Sequence, residues 1–126
     1  MSRTAPRDNQ DRRVLIIEDE PILAFTLEEV LIDAGFEIAG VAGRLEAALA
    51  IIESGACDAA VLDANLAGVS SAPAASALTG RGLPFIILSG YSSDQQQSAF
   101  VGALRLQKPC RPELLIQALN SILRVH

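Results

Sequence analysis

The chain has 126 residues, half of them hydrophobic, which suits one compact domain with a real core. Fifteen acidic residues against ten basic give a net charge of −5, and Arg3, Arg7, Arg12 and Arg13 crowd into the first thirteen positions, so the body is acidic and lacks the basic stripe of a nucleic-acid binder. The longest apolar runs span only a few residues and the start has no secretory h-region, which argues against a membrane span or signal peptide and makes the cytoplasm the expected location.

In chain order, residues 1–12 read as a charged, proline-containing arm expected to be disordered, and 13–126 as a single domain with no output domain after it. Val14-Leu15-Ile16-Ile17 is the first predicted strand. A helix follows, with Pro21 in its first turn, Leu23, Leu27, Val30, Leu31 and Ala34 on one face, and Gly35 at its C-cap. Phe36 to Val41 is a second strand, and Leu45, Ala48, Leu49 and Ile52 mark a helix ending at Gly55. Ala59 to Leu62 is a third strand, and a less apolar helix is expected from about Ser71 to Thr79. Phe85 to Leu88 is the fourth strand, followed by a weaker helical segment from about Ser93 to Val101. Leu104 to Leu106 is a fifth, short strand, and a last helix starts near Pro112 with Leu115, Ala118, Leu119 and Ile122 on one face. Three of the strands lack polar alternation, as strands covered on both faces do, so the expected fold class is α/β, a (βα)5 three-layer sandwich around a parallel sheet.

In such sheets ligands bind beyond the carboxyl ends of the strands. Glu18-Asp19-Glu20 follows the first strand, Asp63 the third and Ser89 the fourth, while Lys108 lies just past the fifth. Carboxylates that converge within about 4 Å repel by about 4 kcal/mol per pair at an effective dielectric near 20, so they call for protons or a cation. Oxygen donors without His or Cys favour Mg²⁺. With a metal present, one carboxylate can attack phosphorus while an ammonium and a hydroxyl steady the transferred oxygens. Each residue also has a plainer reading: Glu18 and Asp19 suit the N-terminal dipole of the helix at Pro21, Asp63 and Ser89 suit turns, and Lys108 suits a solvated surface. Cys57 and Cys110 have no CxxC spacing and read as ordinary thiols.

Val14 to Glu20, Val61-Leu62-Asp63-Ala64-Asn65-Leu66, Leu88-Ser89-Gly90-Tyr91 and Lys108-Pro109 together resemble the response-regulator receiver family of bacterial two-component systems, in its single-domain, chemotaxis-regulator-like form. The resemblance implies a flavodoxin-like sheet of order 2-1-3-4-5. It also implies Asp63 as phosphoacceptor, with Mg²⁺ held by Glu18, Asp19, Asp63 and the backbone carbonyl of Asn65. Lys108 and Ser89 would contact the phosphoryl oxygens, and the Lys108–Pro109 peptide would be cis. The implied partners are a sensor histidine kinase or a histidine phosphotransfer protein and an unknown downstream protein, with no nucleic acid or membrane; a homodimer is left open. The chain is then a slowly self-dephosphorylating acceptor and not a turnover enzyme.

Two departures stand out. The aromatic switch residue usual three places before the lysine is Arg105 here, which makes Ser89, Tyr91 and Arg105 the switch candidates, and Leu66-Ala67-Gly68 replaces the commoner sequence after the acceptor. The alternatives are a degenerate receiver serving as a constitutive protein-binding module, and a phosphate sink. An aspartyl-phosphate phosphatase would carry D-x-D after the first strand, and a flavodoxin a Ser/Thr-rich loop there; neither pattern is present.

Overall fold

A computed structural model describes residues 12–90 and 103–124. Its elements are β1 (Arg13–Ile17), α1 (Pro21–Asp33), β2 (Glu37–Ala42), α2 (Leu45–Ser54), β3 (Ala59–Asp63), β4 (Asn65–Leu66), β5 (Val69–Ser70), α3 (Ala72–Gly80), β6 (Phe85–Ser89), β7 (Leu104–Gln107) and α4 (Pro112–Arg124). Five strands form one parallel sheet of order β2-β1-β3-β6-β7. Apart from the short β4–β5 hairpin, this is the expected 2-1-3-4-5 arrangement.

The pleat divides each strand between two cores. Leu15, Ile17, Ala60, Leu62 and Ile87 pack with Ala48 and Ile52 of α2 and Ala74, Ala75 and Leu78 of α3. Val14, Ile16, Val61, Ile86 and Leu88 pack on the other face with Leu27 and Leu31 of α1 and Leu115 and Leu119 of α4. Every residue of β3 and β6 is buried, which is why those stretches read as unbroken apolar runs. No helix among the described residues is long and apolar enough to cross a membrane.

Glycines end the first three helices. Gly35 has φ +95°, and the amides of Gly35 and Phe36 donate to the carbonyls of Ile32 and Leu31, closing α1 with a Schellman motif. Gly82, φ +72°, and Leu83 repeat the pattern on Thr79 and Leu78 after α3, while Gly55, φ +77°, closes α2.

The structure departs from the sequence reading in four places. The second strand is shifted to Glu37–Ala42 and its pairing with β1 slips between Val14 and Leu15, a bulge that breaks any alternation in the sequence. The loop expected after Asp63 contains the antiparallel hairpin of β4 and β5, and α3 starts at Ala72, one residue later than expected. Arg12, assigned above to the arm, belongs with the folded body: its guanidinium stacks 4.0 Å from the Phe36 ring centroid and donates to the Ala34 carbonyl. Residues 1–11, Tyr91 and the helix expected from Ser93 to Val101 lie outside the described residues.

Candidate functional site

Four strand ends meet at one rim of the sheet. Asp63 closes β3, in register with Leu88 of β6, so Ser89 is the next residue on the neighbouring strand. Beyond β7 the backbone amide of Lys108 donates to the Ser89 carbonyl at 2.8 Å, and the Lys108–Pro109 peptide is cis, as the resemblance implied. At the end of β1, the amide of Glu18 donates to the Ala42 carbonyl at 2.9 Å, fixing that turn to β2.

This backbone frame gathers the predicted side chains. Carboxylate oxygens of Glu18, Asp19 and Asp63 lie within 4.8 Å of one another. The Lys108 ammonium donates to Asp63 Oδ2 at 2.8 Å and lies 3.8 Å from Glu18 Oε1. Asp63 Oδ1 accepts from the backbone amide of Asn65 at 3.1 Å, so each oxygen of this carboxylate has a donor of its own. Glu18, Asp63 and Ser89 are all buried, whereas Glu20 is exposed and contributes its backbone amide, which donates to Glu18 Oε2 at 3.2 Å.

Glu18 is 3% exposed and its Oε1 has no hydrogen-bond partner. Burial pushes its pKa up to about 7; the Asp63 charge adds to the rise, and the Glu20 amide and Lys108 oppose it. Lys108 loses hydration too, but its hydrogen bond and attraction to Asp63 outweigh this and raise its pKa. Three clustered carboxylates and one ammonium leave an excess of negative charge, and the bare Oε1 of Glu18 is an open ligand atom. Both observations fit a hard divalent cation bound by oxygen donors.

The site therefore brings together Glu18, Asp19, Asp63 and Lys108, with Ser89 and Asn65 beside them. Arg105 is half-buried on β7, opposite Ile87, two residues further down the sheet than Ser89 and Gln107. Tyr91 lies outside the described residues. Sequence reasoning missed the Asn65 amide as a partner of Asp63. The available signal was weak: Ala67-Gly68 between Leu66 and Val69 resembles a hairpin turn, but without the Asn or Asp that usually opens one.

Comparison with known proteins agrees with the fold. The family model for the response regulator receiver domain matches residues 14–120. The chain belongs to the response-regulator receiver family. The transcriptional regulatory protein PdtaR of Mycobacterium tuberculosis is 31% identical to this receiver over 125 residues, covering 93% of this chain and 61% of that protein. The receiver thus spans about three fifths of that relative's length. SdrG from Sphingomonas melonis Fr1 is similar in structure, with a TM-score of 0.76 and 39% identity over 88% of this chain and 95% of that one. The receiver domain of PhyR from Erythrobacter litoralis has a TM-score of 0.78 and 25% identity, covering 90% of each chain.

Proposed function

We propose that this receiver accepts a phosphoryl group on Asp63 from the phosphohistidine of a sensor histidine kinase or phosphotransfer protein. An Asp63 carboxylate oxygen forms a bond to phosphorus as the phosphorus–nitrogen bond breaks, and the bonding pair leaves with the imidazole nitrogen. The observation that carries this reading is the Lys108 ammonium, 2.8 Å from a buried carboxylate that shares its pocket with two more acids.

Each residue has a part. Lys108 orients Asp63 before transfer and follows the negative charge onto the phosphoryl oxygens afterwards, while Ser89 supplies a hydroxyl to one of them. Glu18, Asp19, Asp63 and the backbone carbonyl of Asn65 would hold Mg²⁺, which neutralises the crowded acids and the phosphoryl oxygens when bound. Burial of Asp63 keeps bulk water from the acyl phosphate, so its hydrolysis is slow and the chain is an acceptor rather than a turnover enzyme. The new charge shifts an existing equilibrium between two shapes, through Ser89 with Tyr91 or Arg105 as the switch residue, and a protein partner reads the result. We take the receiver to act in the cytoplasm.

The test is intact-mass spectrometry after exposure to acetyl phosphate. One phosphoryl group is expected with Mg²⁺ present, and none after chelation or in Asp63→Asn. An unmodified wild-type chain would instead support a constitutive binding module.

A further inference from the structure

The β4–β5 hairpin is tied to Asp63 by a continuous chain of hydrogen bonds. The Asn65 backbone amide donates to Asp63 Oδ1 at 3.1 Å, and the Asn65 side-chain oxygen accepts from the Gly68 amide at 2.7 Å. Asn65 pairs with Ser70 and Leu66 with Val69, so the tip cannot move independently of Asn65.

The tip is strained. Ala67 has φ +52° and Gly68 φ +89°, a two-residue turn with both central residues on the left-handed side. Glycine tolerates this freely; at Ala67 the Cβ crowds the following carbonyl. Leu66, Ala67 and Val69 form one wall of a groove of about 260 Å³, and Gly43 to Glu46 form the other. That second wall also borders the acids, since a Cβ at Gly43 would lie 3.5 Å from both the Asp19 Cα and the Glu18 carbonyl oxygen.

Phosphorylation changes what the Asn65 amide is bonded to. The unmodified carboxylate spreads its charge over two oxygens, and a hydrogen bond to an ionised acceptor is roughly twice as strong as a neutral one. When an Asp63 oxygen bonds to the phosphorus of acetyl phosphate and acetate leaves with the bonding pair, one oxygen becomes the bridging oxygen of an acyl phosphate and the other a neutral carbonyl. The anchor of the hairpin weakens while Lys108 is drawn to the phosphoryl group, and the turn then gains by leaving its strained geometry.

We infer that the β4–β5 hairpin senses the covalent state of Asp63 and moves its wall of the groove when Asp63 is phosphorylated. The inference rests on Asp63 being the phosphoacceptor. It gives the receiver a responsive surface at residues 65–70, facing Gly43 to Glu46 across the groove.

The experiment is residue-resolved amide hydrogen exchange on the full chain with acetyl phosphate and Mg²⁺, with intact mass read on the same sample. Exchange at Gly68 is expected to rise roughly tenfold in the modified protein, the scale of one lost hydrogen bond, with Gly55 and Asp58 at the far rim unchanged. Unchanged exchange at Gly68 in a fully modified sample overturns the hairpin's role and leaves the acceptor reading intact. A chain that gains no phosphoryl mass overturns both. Asp63→Asn should show no rise with the same reagents, and a rise there would assign the effect to the reagents. Ala67→Gly should be phosphorylated normally but show a several-fold smaller rise, because the strain is gone; an undiminished rise contradicts the part given to Ala67.

Discussion

Burial acts on Glu18 against its charge, and the pH dependence of the cation-free protein follows from that. Its folded pKa of about 7 lies above its ordinary value of 4.5, so the folded state holds this proton more tightly than the unfolded chain does. The stability it contributes is fully present below about pH 4.5 and is lost as pH rises through about 7. The loss should reach at most about 3 kcal/mol. Urea melts in chelator at mildly acidic and mildly alkaline pH measure it, and Glu18→Gln should flatten the difference. Mg²⁺ should act in the opposite sense, stabilising the protein more on the alkaline side, where Glu18 is ionised. Lys108→Ala should cost about 1–2 kcal/mol in chelator, a figure reduced for the 29% exposure of the Lys108 side chain, and Mg²⁺ should restore more stability to this variant than to the wild type. Asp19, Asp63 and Lys108 were legible in the sequence because each follows a strand whose end faces the same rim. The depth of Glu18 and the amide bond from Asn65 were not, because both depend on how neighbouring turns fold over the carboxylates.

Helix ends were easier to read than the turn beside Asp63, and glycine is the reason. Gly35 sits at φ +95° with nothing within 4 Å of where a Cβ would be, so Gly35→Ala tests backbone conformation alone. It should destabilise the protein by about 1 kcal/mol, measured as a shift in the urea midpoint at unchanged slope. Pro21, Gly35 and Gly55 announce their helices because each residue type has one favoured place at a helix end. Ala67 announces nothing, since alanine rarely opens a tight hairpin, and β4 and β5 went unforeseen for that reason. The bulge in β2 hid in a different way: Glu37, Ala39 and Gly40 carry no alternation from which its pairing with β1 could be read. Ala67→Gly should raise stability by about 0.5–1 kcal/mol in the same melts, the opposite sign from Gly35→Ala.

Across the whole molecule, the two rims of the sheet respond to acid in opposite directions. At the rim away from the carboxylate pocket, Asp58 accepts from the Arg13 guanidinium at 2.9 and 3.0 Å and from its backbone amide at 2.9 Å. Burial pushes the Asp58 pKa up, but these bonds outweigh it and hold the group below the usual carboxylate range. Its contribution is therefore present above the ordinary value of 3.8 and lost as pH falls through the folded value. With Glu18 losing stability in the other direction, the cation-free protein should be most stable at about pH 4, between the two ordinary values of 3.8 and 4.5, and saturating Mg²⁺ should move that optimum upward. Asp63 is the proposed site of the acyl phosphate. Borohydride reduction after acetyl phosphate treatment, followed by peptide mass spectrometry, tests it most directly, because an aspartyl phosphate is reduced to homoserine. Homoserine at position 63, appearing only with Mg²⁺, is the expected result. Homoserine nowhere in the chain, or reduction at another acid, would contradict the account.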